Sequence, residues 1–197
     1  NGTLNQNQLD QIAIEVNQLL EGIFEQSNHT TNGRYIFGGT RTLSAPFEAT
    51  RDANGEITAV TYTGNDEDVE IQVADGASVI INETGSRAFQ SNQDVFQLLI
   101  DIRDNLRSGN QTALQGDRLN ELKTAQDQLL ISMARIGSTQ NRLDRLGINL
   151  ENFTDLFRET LSDNIDADYA DTIINLNTQQ NAFQAALNAA ARAIQPS

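Results

Sequence analysis

The chain is predicted to be mainly α-helical, with a small antiparallel β module inserted between the helices of a long-helix coiled-coil bundle. Three observations carry this. Apolar residues recur at steps of three and four near both ends, the period falls to two between about residues 41 and 89, and the composition is poor in large aromatics. The 197 residues are 38% hydrophobic but only 6% aromatic, with no Trp. That suits stripes along helices better than a deep globular core.

The first helix is expected from Gln8 to about Ser27. Leu9, Ile12, Val16, Leu19 and Ile23 step by 3, 4, 3 and 4, which places them on one stripe, and Ala13, Leu20 and Phe24 widen it. Asn28, Asn32 and Gly33 then act as breakers. Tyr35-Ile36-Phe37 followed by Gly38-Gly39 reads as a short extended or turning segment.

The β module is expected at 41–89, with about four strands. Asn54-Gly55 suggests a two-residue type I′ turn, with Phe47, Ala49 and Arg51 facing Ile57, Ala59 and Thr61. Val69, Ile71 and Val73 alternate with polar or small neighbours before Asp75-Gly76 turns the chain into Val79-Ile80-Ile81. The remaining segments, 1–40 and 90–197, form the discontinuous helical domain.

Helical spacing returns at Asp94, where Val95, Leu98, Leu99, Ile102 and Leu106 form a stripe ending at Ser108-Gly109. A longer helix is expected from Thr112 to Leu161, with Leu119, Leu122, Leu129, Met133, Ile136 and Leu143 on its seam. At 1.5 Å per residue such a helix spans roughly 75 Å. The seam slips near Gly147, and Gly137 and Gly147 mark places of close helix approach. After a break at Ser162 to Asp166, a last helix carries Ile173, Leu176, Phe183 and Leu187. The matching seams predict that Leu129, Met133, Ile136, Leu143, Ile173, Leu176, Phe183 and Leu187 are buried in one bundle.

Charge and composition narrow the function. Thirteen Lys and Arg against 27 Asp and Glu give −14, and Lys123 is the single lysine. This disfavours nucleic acid and anionic membrane, whose binding relies on basic side chains. With no Cys and one His, the chain has no thiolate or His-cluster metal site. No apolar run is long enough to span a bilayer, and no leader pattern opens the sequence. Strongly periodic helices lie close to both ends, as expected of an excerpt from a longer chain.

The acidic residues Asp163, Asp166, Asp168 and Asp171 raise a hard-cation site, but they lack the EF-hand order. Capping of the last helix is the simpler expectation. Asp66-Glu67-Asp68 reads as a solvated strand connection and His29 as an exposed loop residue. Arg103, Arg107, Arg118, Arg135, Arg142, Arg145 and Arg158 are spread along the helices, where they suit contacts between subunits. Catalytic, metal and cofactor residues are expected to be none, and the protein is expected not to be an enzyme.

The segment Gly33-Arg34-Tyr35-Ile36-Phe37-Gly38-Gly39-Thr40 with Ala45-Pro46-Phe47 resembles the flagellar hook-filament junction proteins, the hook-associated protein 3 family of the flagellin superfamily. Tyr62-Thr63-Gly64-Asn65, Val69-Glu70-Ile71 and Asn82-Glu83-Thr84-Gly85 are similar to its β domain. Ala134-Arg135-Ile136-Gly137 with Asn141-Arg142-Leu143, and Asp166-Ala167-Asp168-Tyr169-Ala170 with Gln179-Gln180, are similar to flagellins in general. Gly33, Arg34, Tyr35, Phe37, Gly38, Gly137, Asn141 and Arg142 are thus the motif residues.

The resemblance implies a flagellin-like rod and a secreted, extracellular adaptor in the bacterial flagellum. Its implied partners are further copies of itself in a ring-like layer, the first hook-associated protein, flagellin and an export chaperone. A filament subunit of flagellin type is the alternative. A cation-binding module on the acidic loop, or a β module that binds a receptor, are readings from other classes.

Overall fold

The computed structural model describes residues 5–110, 112–113 and 117–193, without the side chains of 164, 166–168, 170 and 189–193. Two compact units divide the chain, Asn1–Leu143 and Asp144–Ser197. Its helices are α1 (Gln6–Ser27), α2 (Gly85–Phe89), α3 (Val95–Arg107) and α4 (Arg118–Ala193). The strands are β1 (Thr30–Thr31), β2 (Arg34–Tyr35), β3 (Phe47–Arg51), β4 (Ile57–Tyr62), β5 (Glu70–Ala74) and β6 (Ala77–Ile80). The mainly helical class with a small antiparallel insertion is therefore what the chain adopts.

Capping explains where α1 starts. The Asn5 side chain accepts from the Gln8 amide at 2.9 Å while the Gln8 side chain accepts from the Asn5 amide at 3.0 Å, a reciprocal capping box. At the other end Asn28 leaves the helix and its amide pairs with strand β3 in both directions, donating to the Phe47 carbonyl at 2.9 Å and accepting from its N–H at 3.0 Å. One asparagine thus ends α1 and fixes where β3 begins.

The core of the first unit lies where α1 and α3 pack together and the β3–β4 hairpin covers them. Leu9, Ala13 and Leu20 of α1 meet Val95, Phe96, Leu98, Leu99, Ile102 and Leu106 of α3, joined by Phe47, Ile57, Phe89 and Ala125. Gln6 donates to the Arg107 carbonyl at 3.0 Å, so the start of α1 meets the end of α3. Five of the eleven aromatics gather here. Phe47 contacts Tyr62, Phe89 and Phe96 with ring centroids 5.1, 5.6 and 5.1 Å apart, and Phe37 meets Phe89 edge-on at 5.2 Å.

All strands pair as antiparallel hairpins: β1 with β2, β3 with β4, and β5 with β6. The two Asn-Gly pairs behave differently from expectation. Asn32 and Gly33 both have positive φ, 53° and 74°, so the two-residue type I′ turn lies between β1 and β2. At the second pair only Gly55 is left-handed, at φ 85°. Its amide reaches back to the Asp52 carbonyl at 3.0 Å and the Asp52 amide donates to Glu56 at 2.9 Å. That is a three-residue loop closed by a bulge, which corrects the expected pairing. Phe47 faces Tyr62, and Arg51 faces Ile57.

One further expectation is overturned. The helix predicted to stop at Leu161 continues as α4 through the supposed break at Ser162 to Asp166. At its other end residues 112–113 are helical, 114–116 lie outside the described residues, and α4 runs from Arg118. Nothing in the residue types from 162 to 166 forbids a helix: none is Pro or Gly, and loss of apolar spacing changes the face presented without breaking the backbone ladder.

Candidate assembly surface

Residues 33–40 form a built turn. Its glycines are required by close approach: a Cβ on Gly38 would lie 2.4 Å from the Arg41 carbonyl oxygen. On Gly39, at φ 66°, it would lie 2.1 Å from Asn65 Oδ1. Asn65 fastens the turn to the β4–β5 connection. Its amide N–H donates to the Gly38 carbonyl at 3.2 Å, its Oδ1 accepts from the Thr40 amide at 2.8 Å, and its Nδ2 donates to Thr40 Oγ1 at 2.8 Å. The Tyr62 hydroxyl bridges the carbonyls of Phe37, at 3.1 Å, and Asn65, at 2.8 Å. Burial pushes that phenol above its usual value, with Asp66 adding to the effect.

Arg34 reaches Thr42 Oγ1 at 2.9 Å, Tyr35 is half-buried, and its amide donates to the Thr42 carbonyl at 2.9 Å. Gly33 needs its left-handed backbone but faces open space. The motif is thus the sequence of a folded turn locked onto a neighbouring loop. Asn65 and Tyr62, which lock it, belong to a stretch noticed only for resemblance; a Tyr and an Asn on either side of Thr63-Gly64 were the available signal.

A second junction joins the β module to α4 within the first unit. Glu83 is buried, its Oε1 accepting from Ser132 Oγ at 2.9 Å and from Arg135 Nη1 at 2.8 Å. Arg87 approaches Oε2 at 3.7 Å. Four residues earlier on the same helix, buried Gln128 accepts from the amides of Asn92, at 2.8 Å, and Gln93, at 3.0 Å, and donates to the Ala88 carbonyl at 3.0 Å. Glu83, Gln128 and Ser132 carry this junction and were not singled out by spacing. Their signal is a polar residue in the gap between stripes, which looks the same on any solvated helix.

The predicted seams are only partly covered. Leu9 is buried, Ile12 and Val16 are half-buried, and Leu19 is exposed. On α4 of the first unit, Leu129 packs against the core and Leu143 is half-buried, while Leu119, Leu122, Met133 and Ile136 are exposed. In the second unit Ile173, Leu176, Phe183 and Leu187 are all exposed, as are Phe153, Leu156 and Phe157. Burial of these residues in one bundle is therefore not a property of this chain by itself. Met133 is 67% exposed and Phe183 66%, so the stripe on α4 lies open.

Gly137 and Gly147 are likewise not sites of close approach here, since an added Cβ would meet nothing within 4 Å. Asn141 is exposed, and Arg142 donates to the Ser78 carbonyl at 3.5 Å.

Several of the arginines bond within the chain, and Arg103 is the buried one of the set. Arg103 is buried and donates to Asn17, Asp104 and the Ile57 carbonyl. Arg107 forks onto Glu56, and Arg118 pairs with Glu121 at 2.7 Å. Arg158 pairs with Asp155 at 3.3 Å, and Arg145 is exposed. The acidic connection is tied down as well: Asp66 accepts from Ser86, Glu67 from Thr40 at 2.7 Å, and Asp68 pairs with Arg87 at 2.8 Å.

Asp163 and Asp171 lie inside the continuous α4, so the expected capping of a helix start at this place does not occur. The side chains of Asp166 and Asp168 are outside the described residues. Among the described residues, no three His, Cys, Asp or Glu come together as metal ligands. No described helix is long and apolar enough to cross a membrane. His29 is exposed, as expected.

Comparison with known proteins shows what the chain is similar to. The chain is 27% identical to flagellar hook-associated protein 3 of Escherichia coli K12 over 96% of its own length, and 26% identical to that of Salmonella typhimurium over 94%. The chain is similar to flagellar hook-associated protein 3 along nearly all of its own length. It spans 65% and 63% of the length of these two relatives. The crystal structure of FlgL from Bacillus cereus superposes with a TM-score of 0.59 at 28% identity, covering 76% of this chain and 70% of that one. No protein-family model matches. The likeness to hook-associated protein 3 extends over nearly the whole chain, so the built turn and the α4 seam both lie within it. The flagellin reading is not favoured by these relatives.

Proposed function

We propose that this chain is part of a structural adaptor that joins the hook-associated layer of a bacterial flagellum to the flagellin filament. The observation that carries the reading is likeness to hook-associated protein 3 along nearly the whole chain. It agrees with the physics of α4, whose apolar seam is left open on the chain alone and asks for neighbours. The role is structural and not catalytic, a reading that rests on the names of the relatives.

In this reading residues 1–40 and 90–197 form the helical body and 41–89 the β module at the outer surface. The partners are further copies in a ring-like layer, the first hook-associated protein, flagellin and an export chaperone, and the site of action is outside the cell. The seam set Leu9, Ile12, Val16, Leu19, Leu129, Met133, Ile136, Leu143, Ile173, Leu176, Phe183 and Leu187 supplies packing within the assembly.

Deletion of the gene in the source bacterium tests this. Hooks without attached filaments, with flagellin shed into the medium and restored attachment on complementation, are expected. Normal filaments in the deletion strain would sink the reading. Unassisted growth of long filaments from the complete purified protein would support a flagellin-type subunit in its place.

A further inference from the structure

Within the first unit, α4 turns the less apolar of its two stripes inward. Its buried residues there are Ala125, Gln128 and Ser132, which step by 3 and 4 along one face. Leu122, Leu129, Met133 and Ile136 form a second stripe, and of these only Leu129 packs against the core. With 3.6 residues per turn, the two stripes lie about a quarter-turn apart on the helix. Apolar burial alone favours the second stripe facing in, so something opposes that rotation.

The opposing element is a hydrogen-bonded clasp. Gln128 uses both ends of its amide: Oε1 accepts from the Asn92 and Gln93 amides at 2.8 and 3.0 Å, and Nε2 donates to the Ala88 and Gln93 carbonyls at 3.0 and 3.3 Å. One turn further on, Ser132 Oγ and Arg135 Nη1 donate to Oε1 of the buried Glu83 at 2.9 and 2.8 Å. Glu83 Oε2 has no hydrogen-bond donor among the described residues, and Arg87 stands 3.7 Å from it. Rolling α4 by a quarter-turn carries Gln128, Ser132 and Arg135 away together. It strands a buried carboxylate and the backbone groups of Ala88, Asn92 and Gln93, losses that outweigh a few apolar contacts.

We propose that this clasp is a rotational lock, which holds α4 with its polar stripe inward and so keeps Leu122, Met133 and Ile136 open on the folded chain. Without the clasp α4 rolls, and the apolar stripe packs onto the chain's own core. The lock rests on these bonds; only the use made of the open stripe depends on the adaptor reading.

Met133 is the single methionine of the chain, so an isotopic label on its methyl group gives one resonance. Broadening of that resonance by a soluble nitroxide reads how open the stripe is. The native chain is compared with Gln128→Ala and with Glu83→Gln/Gln128→Ala/Ser132→Ala, in which alanine keeps helix propensity high while removing the bonds. Strong broadening is expected in the native chain, less in Gln128→Ala and least in the triple variant. Amide exchange at Asn92 and Gln93 should quicken about tenfold or more in both variants.

Circular dichroism checks that the variants fold, and Gln128→Ala decides by itself should the triple variant unfold. A Met133 methyl as open in the folded variants as in the native chain overturns the lock, because α4 then keeps its setting without the clasp. A methyl already shielded in the native chain overturns it as well. Filament attachment plays no part in the measurement, so the adaptor reading can fail without changing this result.

Discussion

Arg103 of α3 donates to the backbone carbonyl of Ile57 at 2.8 Å, with both residues buried, so a charged side chain ties the hairpin to the helix pair inside the core. The same guanidinium reaches Asn17 of α1 at 2.9 Å. One residue therefore bonds to two elements besides its own. Its positive charge is offset at the surface end by Asp104, at 2.8 Å.

Arg103→Met keeps much of the volume but strands the Ile57 carbonyl and the Asn17 amide without their donor. Because Asp104 is largely exposed, no buried charge is left behind, and the loss is set by unsatisfied polar groups at about 1–3 kcal/mol. Urea denaturation reads this directly. A midpoint unchanged from the native chain would mean that water replaces the guanidinium at no cost.

Phe47 anchors the aromatic cluster and is 1% exposed. Phe47→Ala removes contacts with Tyr62, Phe89 and Phe96 together, and a cost of about 3–5 kcal/mol is expected. Phe47→Leu should cost clearly less, because it refills most of the space. Thermal melts of the pair rank the two variants, and equal melting temperatures would show that the cluster collapses around the cavity.

The fold was legible wherever a stripe closes on a local partner. Leu9, Val95, Leu98 and Leu106 are both periodic and buried, because α1 and α3 pack within one unit. Leu176 and Phe183 are equally periodic yet exposed, since spacing says which residues share a face and not what covers it. The turn at Asn54-Gly55 was misread for a different reason. The Asp52 carboxylate accepts from the Asn54 amide at 2.9 Å and the Glu56 amide at 2.9 Å, which favours the bulged loop over the tight one. The two polar junctions, around Asn65 and Glu83, were the least visible because their meaning depends on which strands meet.

Gly39 and Gly33 both have positive φ but differ in surroundings. Gly33→Ala carries only the backbone penalty, about 1–2 kcal/mol, since nothing lies within 4 Å of the new methyl. Gly39→Ala adds a collision with the Asn65 backbone and is expected to cost more. Comparative chemical denaturation should separate them; a Gly39→Ala protein as stable as Gly33→Ala would show that the 33–40 turn is not held against Asn65.

Glu56 and Asp52 predict an acid limb in stability. The hydrogen-bonded Arg107 holds Glu56 below its ordinary value of 4.5, and the Glu56 backbone amide does the same for Asp52 from 3.8. Folded values below unfolded ones mean that the stabilisation is complete above the ordinary carboxylate range and is lost as pH falls through the depressed folded values. Glu56→Gln should therefore lower the urea midpoint at pH 7 and change it little near pH 2. An equal loss at both pH values would show that packing, and not ionisation, is what Glu56 contributes.

Leu176 separates folding from assembly. A buried leucine truncated to Ala costs about 2–5 kcal/mol, the expectation from its place on the seam. In the structure it is 53% exposed, so Leu176→Ala should shift the stability of the isolated chain by no more than about 0.5 kcal/mol. If the proposed adaptor role holds, the same substitution placed in the complete protein reduces filament attachment, because the side chain is needed only when a neighbour covers it. Melting temperature and filament counts together make the test. A large loss of stability in the isolated chain would mean that the helix already has an intramolecular partner, whereas full stability with unimpaired attachment would remove Leu176 from the assembly surface.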